Sequence, residues 1–191
     1  MEQKKVVPAG NNWTEKDIRE FPGAPAQRFG DEWALVTAGD TAVSEGNWNT
    51  MTVSWGGLGE LWGRSVAFIF IRPHRHTREF VERNSFFTVS FFDRTRHTAL
   101  AVCGEKSGRD CDKAAASGLT PVVFDRPFLN GRALGAVSFA EAREIIVCRK
   151  LYTHTFDPAR FLDPAIQKDC YPLSDYHTMY IGETAGLLVR G

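Results

Sequence analysis

The run from Cys103 to Lys113 carries the densest group of chemically capable side chains in the sequence. It reads CGEKSGRDCDK, so glycines, a hydroxyl and cations fall within one short stretch. Glycine lets backbone N–H groups approach an anion closely, and Ser107 can cap a helix and donate to oxygen. Lys106 and Lys113 add positive charge beside the positive end of a helix dipole. The pattern predicts a phosphate-binding turn that opens a helix over residues 108–117, and the alternative is an ordinary solvated turn before a capped helix.

The two most common nucleotide fingerprints do not fit this run. A P-loop needs a glycine, four residues and then Gly-Lys-Ser/Thr, but Gly104 lies too close to Lys106 and Ser107. The dinucleotide pattern G-x-G-x-x-G is absent here as well. Gly56 to Gly59 has a G-x-x-G spacing, yet it follows a predicted strand and leads to no helix. A phosphate would therefore have to be held in another way.

A second basic cluster, RPHRHT, occupies residues 72–77 at the end of an apolar strand. Arginine can bind a phosphate through two hydrogen bonds, and Thr77 can add a hydroxyl as the cap of a helix that runs to about Arg83. The alternative is a surface turn whose arginines pair with Glu79 and Glu82. Both helix starts are thus candidates for the same anion.

The strand NTMTVSWG, residues 49–56, alternates apolar and hydroxyl-bearing side chains. Such a strand could place one polar and one apolar edge along a planar ring. Ordinary alternation in a half-buried strand is the other interpretation.

Length and charge restrict the class of partner. With 191 residues the chain fits one domain, and 23 basic residues balance 23 acidic ones, which gives no reason to expect nucleic acid or an anionic membrane as the main partner. A small ligand or a protein is favoured. The polar N-terminus lacks a signal-peptide core, and no apolar run has the length of a membrane span, so the expected location is the cytoplasm.

Four scattered cysteines form no C-x-x-C pair, so reduced thiols are expected. His74 and His76 could ligate a metal, but they lie beside arginines and lack a nearby acidic or thiolate partner. We therefore expect no metal site.

Turn residues separate runs of β-branched and aromatic residues, so strands dominate the prediction. One conflict arises at Ser138 to Glu141, which reads as a capping box, but the β-branched and bulky residues that follow favour a long strand. The few helices do not alternate regularly with strands, which favours an antiparallel barrel or sandwich over a doubly wound fold. The predicted strands are Glu32 to Ala38, Asn49 to Trp55, Val66 to Arg72, Phe86 to Phe92, Val122 to Asp125, Glu144 to Phe156 and His177 to Glu183. The predicted helix caps are Thr14, Thr77, Ser107 and Asp157.

Taken in order, five segments resemble the FMN-binding split-barrel family of flavin reductase-like proteins, and most of all its flavoredoxin-type branch. They are NTMTVSWG, FIRPHRHT, FTVSFF, CGEKSGRDCDK and DYHTMYIGE, which together span residues 49–183. The resemblance implies a mainly β fold, a six-stranded antiparallel split barrel with a few short peripheral helices. It also implies a homodimer whose interface completes the FMN pockets. The chain length favours one such domain over residues 1–191, with residues 1–30 as a polar N-terminal extension.

The resemblance also implies roles for individual residues. The first strand would follow the ribityl chain and ring edge of FMN, the two basic segments would hold its phosphate, and a strand residue would contact the flavin. These expected FMN-binding residues are Met51, Thr52, Ser54, Trp55, Arg72, Arg75, Thr77, Ser90, Gly104, Lys106 and Ser107. His177 would lie near the outer face of the flavin or its nicotinamide partner, or would simply cap a strand end at the barrel rim.

The function implied is that of an FMN-dependent oxidoreductase. NADH, NADPH or a reduced protein would reduce FMN, which would pass the electrons to free flavin or another acceptor. One alternative is a non-enzymatic FMN electron carrier between proteins. Another is a module without flavin, in which Arg72, Arg75, Lys106 and Arg109 form a general anion-binding surface. The charge of an FMN phosphate, close to two negative units, independently explains why two basic segments would be needed.

Overall fold

The computed structural model describes residues 7–10, 12–39, 47–128 and 132–191. Within these ranges, short helices connect the strands of two sheets. The strands are β1 Val7–Pro8, β2 Trp13–Lys16, β3 Ala34–Gly39, β4 Trp48–Val53, β5 Gly56–Leu61, β6 Arg64–Ile71, β7 Phe86–Phe91, β8 Pro121–Phe128, β9 Arg132–Phe139, β10 Glu144–Thr155 and β11 Thr178–Arg190. The α-helices are α1 Pro25–Gly30, α2 His76–Arg83, α3 His97–Glu105, α4 Lys113–Ser117 and α5 Pro164–Cys170.

The main sheet is antiparallel and follows the order β4-β3-β7-β10-β11-β6-β5, with β2 added along β11. In the described ranges it has eight strands, so the predicted count of six is not confirmed. A smaller sheet joins β1, β8 and β9. The structure confirms a mainly β fold with short helices. The path of the main sheet ends at β4 and β5, which are consecutive in the chain.

The central strand β10 shows why this sheet forms. Its first five residues are all buried, and they face two cores in turn: Ile145 and Val147 belong to one core and Ile146 and Cys148 to the other. A strand covered on both faces favours a continuous apolar run, which is what the sequence shows here. One core lies between the main sheet, α3 and the smaller sheet. The other fills the interior that the main sheet encloses.

The prediction that Thr14 caps a helix is wrong. Thr14 lies in β2, where it pairs with Val189 of β11, and the short 3-10 turn that follows is capped by Asp17. The hydroxyl of Thr14 is a valid local cap signal, but pairing with a distant strand satisfies the same backbone groups.

Two further caps are wrong. Arg75 occupies the cap position of α2 without a side-chain bond, and Thr77 lies inside the helix. The run that Ser107 was predicted to cap is divided between two helices, because α3 ends at Glu105 and α4 begins only after Asp112, whose carboxylate accepts the N–H of Ala115. Cys103 and Gly104 therefore close one helix rather than open another. The predicted Asp157 cap is confirmed, although it begins a 3-10 turn.

The strand predictions are confirmed for the segments that became β3, β4, β6, β7, β8, β10 and β11, although β11 continues to Arg190. The strands β1, β2, β5 and β9 and the helices α1, α3 and α5 were not predicted from the sequence. None of the helices in the described ranges has the length and apolar character that crossing a membrane requires.

Candidate functional site

A cleft of about 230 Å³ lies beside the junction of β4 and β5, the two strands at which the path of the main sheet ends. Three parts of the chain meet there: the end of β4 with the turn after it, the segment after β6, and the residue before β11. The residues that line it are Met51, Thr52, Val53, Ser54, Trp55, Phe70, Arg72, Arg75 and His177. The fold therefore joins the strand motif, the RPHRHT segment and the predicted histidine in one place.

The β4 side offers hydroxyl and aromatic groups. Met51 and Val53 are buried, and the hydroxyl of the half-buried Thr52 donates to the carbonyl oxygen of Leu100 in α3. Ser54 is exposed, and Trp55 is 44% exposed although it lines the cleft. This edge can accept a flat ring beside Trp55 and hydrogen bonds at Ser54.

Arg72 is held by the last residue of α5 and by the segment that follows this helix. Its guanidinium donates to the Asp175 carboxylate at 2.6 Å and to the Cys170 carbonyl at 2.8 Å. The guanidinium carbon also lies over the Tyr171 ring, 5.2 Å from the ring centroid. The hydrogen bond from Arg72 holds the pKa of Asp175 below its usual range. Arg72 thus enters the cleft with a fixed orientation and with its charge matched by a neighbouring carboxylate.

Arg75 has a different environment. Its guanidinium donates to the Gly104 carbonyl at 2.6 Å, a neutral acceptor at the end of α3. Burial, and then the nearby charge of Arg72, lower the pKa of Arg75 below that of an ordinary arginine. Among the cleft residues and their described partners there are two guanidiniums and one carboxylate, Asp175, which pairs with Arg72. The excess positive charge would favour an anion in this cleft.

His177 is buried at 8% exposure and is held between two aromatic residues. Its Nδ1 lies 2.9 Å from the Tyr171 hydroxyl, and its ring centroid lies 4.8 Å from that of Trp55. Burial, and then the charge of Arg72, lower the pKa of His177 to about 4. The imidazole is therefore uncharged near neutral pH.

The Cys103–Lys113 run does not line the cleft, but it is hydrogen-bonded to β4 and to Arg75, which do. The buried Lys113 ammonium donates to the Cys103 carbonyl and to the Thr50 carbonyl of β4, both at 2.8 Å. Together with the bonds from Thr52 to Leu100 and from Arg75 to Gly104, it ties the carbonyl end of α3 to the cleft strands. The carbonyl end of α3 is the negative end of the helix dipole, whereas the predicted phosphate-binding turn required the positive end of a helix.

Gly108 makes this arrangement possible. A Cβ atom on it would overlap the side-chain amide of Asn49, which donates to the hydroxyl of Thr77 at 3.1 Å. The run therefore packs directly on a β4 residue that also anchors α2.

Several predicted site residues lie outside the cleft lining. Thr77 is 1% exposed, and Ser90 is fully buried, with its hydroxyl 2.7 Å from that of Ser138. Gly104 does not line the cleft, but its carbonyl accepts a hydrogen bond from Arg75 and its Cα packs against Thr52. Lys106 is exposed at the end of α3, and the Ser107 hydroxyl accepts the N–H of Arg109 at 3.2 Å.

Three residues that shape or orient the site were not predicted from the sequence. Asp175 fixes Arg72, and it belongs to the DYHTMYIGE segment, so that segment carried a signal. Tyr171 holds His177 but lies outside every recognised segment. Phe70 lines the cleft and begins the FIRPHRHT segment, but no role was predicted for it from the sequence.

No family model matches this chain, and no curated protein matches it. Solved structures do match. An FMN-binding domain of a flavin reductases-like enzyme from Shewanella baltica OS155 has a TM-score of 0.60 at 14% identity, over 94% of this chain and 78% of that one. Flavoredoxin of Desulfovibrio vulgaris (Miyazaki F) has a TM-score of 0.57 at 20% identity, over 82% and 68%. An NADH:FAD oxidoreductase of Streptomyces globisporus has a TM-score of 0.56 at 16% identity, over 84% and 74%.

These similarities define the fold. The chain has the split-barrel architecture of the flavin reductase-like proteins and flavoredoxins, as the sequence motifs predicted.

Proposed function

We propose that this protein binds FMN in the cleft and acts as an oxidoreductase, passing electrons from NADH, NADPH or a reduced protein to a flavin or another acceptor. The observation that carries the proposal is the convergence of Arg72, Arg75, His177 and the Ser54–Trp55 edge in one cleft. The split-barrel fold that the chain shares with FMN-binding proteins supports it.

The residues present fit FMN chemically. A flavin phosphate needs charge-assisted donors, and the Arg75 guanidinium has a carbonyl rather than a carboxylate as its described partner. Ser54 offers a hydroxyl for the ribityl chain, and Trp55 and Phe70 offer apolar surface for the ring. Bound FMN would supply the electron-transfer chemistry itself. The protein side chains would bind and orient it, and the uncharged His177 would contribute a hydrogen bond near the exposed face.

We also propose that a second copy of the chain completes the site. A cleft of about 230 Å³ is smaller than the roughly 300–1,000 Å³ typical of sites for drug-sized ligands, so one chain would cover only part of FMN. Trp55 is 44% exposed at the edge of this cleft. A homodimer that buries this edge would enclose the rest of the cofactor.

Titration of the purified protein with FMN tests the binding proposal. We expect quenching of flavin fluorescence and a yellow protein after gel filtration. A colourless protein that leaves FMN fluorescence unchanged would refute flavin binding and favour the general anion-binding surface.

Anaerobic stopped-flow mixing then tests the reaction. We expect NADH or NADPH to bleach the visible absorption band of the bound oxidised flavin. If neither nucleotide bleaches it at millimolar concentration but a reduced electron-transfer protein does, the protein is an FMN electron carrier and not a nucleotide-dependent reductase.

A further inference from the structure

Tyr171 and His177 form a buried pair at the edge of the cleft. Tyr171 is 4% exposed, and its hydroxyl lies 2.9 Å from Nδ1 of His177. The Arg72 guanidinium covers the Tyr171 ring, while the Trp55 ring lies against the imidazole. Both rings are therefore held in place by residues that line the cleft.

The hydrogen bond in this pair has a defined direction. Burial raises the pKa of Tyr171, so the phenol keeps its proton and needs an acceptor. Its ring neighbours are Phe161, Tyr176 and Arg72, and a guanidinium has only donors. Among the described residues, Nδ1 of His177 is the acceptor within reach of this hydroxyl. Tyr171 therefore donates and Nδ1 accepts.

The surroundings also keep the imidazole neutral. Arg72, Arg75 and His74 face it from the segment after β6, and Asp175 faces it from the segment before β11. The positive charges and burial outweigh the carboxylate and lower the pKa of His177 to about 4. A neutral imidazole that accepts at Nδ1 must carry its proton on Nε2.

We propose that Tyr171 is a positioning residue that fixes His177 as the Nε2–H tautomer, so that the cleft contains an uncharged hydrogen-bond donor beside its two arginines. The identity of the acceptor rests on the proposed function. A donor without charge suits a carbonyl oxygen, either of the flavin ring or of a nicotinamide carboxamide, and leaves the arginines to the phosphate. In this arrangement the tyrosine acts on the ligand only through the histidine.

The tautomer can be read directly in the ligand-free protein. Long-range proton–nitrogen correlation spectra of ¹⁵N-labelled protein distinguish Nδ1–H from Nε2–H, and His177→Gln assigns the signals of His177. We expect the wild-type imidazole to be neutral at pH 7 and predominantly Nε2–H. In Tyr171→Phe the ratio of Nε2–H to Nδ1–H should fall roughly fivefold to tenfold, because one hydrogen bond of typical strength is lost.

Tyr176→Phe is the matched control, because the Tyr176 ring packs on Tyr171 with centroids 5.0 Å apart. It should leave the tautomer ratio of His177 unchanged. An Nδ1–H signal in the wild type, or an unchanged ratio in Tyr171→Phe, would overturn the role of Tyr171.

Adding FMN, with and without a nicotinamide nucleotide, to the labelled wild-type protein separates this inference from the proposed function. We expect the Nε2–H signal to shift as a ligand carbonyl accepts it. Binding of FMN and nucleotide without any shift would overturn the donor role of His177. Failure to bind FMN would instead refute the proposed function, and the tautomer measurement would still decide whether Tyr171 sets the state of His177.

Discussion

Arg72 and Arg75 lie three residues apart in the cleft, but their partners differ. Asp175 neutralises Arg72, whereas Arg75 donates to a neutral carbonyl. Arg75 is therefore the better candidate for a phosphate ligand. We expect Arg75→Ala to weaken FMN binding by about 1.5–3 kcal/mol, the range for hydrogen bonds to charged groups, or roughly 10- to 150-fold in Kd. Quenching of FMN fluorescence measures this change.

Arg109→Ala is the control for that experiment. Arg109 is exposed and pairs with Glu79, away from the cleft lining. Its removal should change the Kd for FMN by less than about twofold, because exposed ion pairs contribute little. Equal losses in both variants would indicate a general basic surface and contradict a defined phosphate site at Arg75.

His177 makes the stability of the protein depend on pH. Its pKa is about 4 in the folded protein against about 6.5 for an unperturbed histidine, so the unfolded chain binds the proton first as the pH falls. The contribution of neutral His177 to the free energy of unfolding is therefore fully present above about pH 6.5, and it is lost as the pH falls from 6.5 to 4. We expect the wild type to lose about 1–2 kcal/mol more than His177→Gln between pH 7.5 and pH 5.

Urea denaturation of the two proteins at both pH values measures this difference. The other histidines are present in both proteins, so their titration cancels in the comparison. Parallel losses would show that His177 is protonated in the folded protein and would contradict its neutral state.

At the scale of residues, the sequence predicted the cleft lining better than its supports. Met51, Ser54 and Arg75 stand in short segments whose residue types fit a ligand, and the resemblance to the FMN-binding family named them individually. Tyr171 acts through a partner six residues away, and the bond requires the turn between them to fold back. That geometry depends on packing against Arg72, which no local pattern encodes.

Lys113, the last residue of the Cys103–Lys113 run, stabilises the contact between helix α3 and strand β4. The Lys113 ammonium joins Cys103 and Thr50 through their carbonyl oxygens. We expect Lys113→Met to lower the free energy of unfolding by about 2 kcal/mol, because two buried carbonyls lose a charged donor while a buried charge is removed. Chemical denaturation measures the loss.

Lys106→Met is the matched control, since Lys106 is an exposed lysine of the same run. It should change stability by less than about 0.5 kcal/mol. Equal stability of the two variants would show that the bonds of Lys113 contribute nothing net.

Gly108 controls how closely this run approaches β4. A methyl group there would collide with the Asn49 amide and disturb its bond to Thr77. We expect Gly108→Ala to lower the free energy of unfolding by about 1–3 kcal/mol, the usual cost of overpacking. We also expect weaker FMN binding, because Asn49 anchors α2 through Thr77 and Arg75 stands at the start of that helix. Thermal unfolding and the FMN titration measure both effects.

Gly118 is not a suitable control because its φ is positive, but Gly59 lies in β5 with open space around its Cα. Gly59→Ala should leave both stability and FMN binding nearly unchanged. A tolerated Gly108→Ala would mean that the run need not pack tightly on β4.

At the scale of elements, runs of β-branched and aromatic residues bounded by turn residues predicted β4, β6, β7 and β10, because strands with two covered faces bury nearly every residue. The sequence did not predict β5, since Gly56 and Gly57 look like a turn. They are glycines because Phe29 and Phe68 pack where a side chain would lie. The start of α3 was equally hidden, because its cap position is Arg96, whose side chain makes no capping bond.

At the scale of the whole molecule, the order of the five segments predicted the split barrel because the segments fall on different elements of one fold: β4, the end of β6, β7, the junction of α3 and α4, and the start of β11. The same segments do not specify which donor reduces the flavin. The likeness to solved structures, at 14–20% identity, is a likeness of fold. In the proposed function, donor preference would depend on the cleft residues near the ring, Trp55 and His177 among them.

The open edge of the cleft leads to a prediction about assembly. Leu173 is 84% exposed in the segment that holds Arg72, and Trp55 is exposed at the cleft itself. If a second copy covers this edge, sedimentation equilibrium should give the wild type a molecular mass of about 43 kDa, twice the chain mass of 21.4 kDa. Leu173→Asp should shift the protein toward the monomer and weaken FMN binding in parallel, since a buried unpaired charge opposes association.

Trp62→Asp separates this edge from exposed apolar surface in general. Trp62 is 56% exposed at the turn between β5 and β6, the opposite end of that hairpin from Trp55. We expect this variant to remain dimeric and to bind FMN as the wild type does. Sedimentation equilibrium at tens of micromolar protein, with and without FMN, measures both states. A monomeric wild type that binds FMN fully would show that one chain forms the whole site, and dissociation of Trp62→Asp but not Leu173→Asp would move the interface to the other end of the barrel.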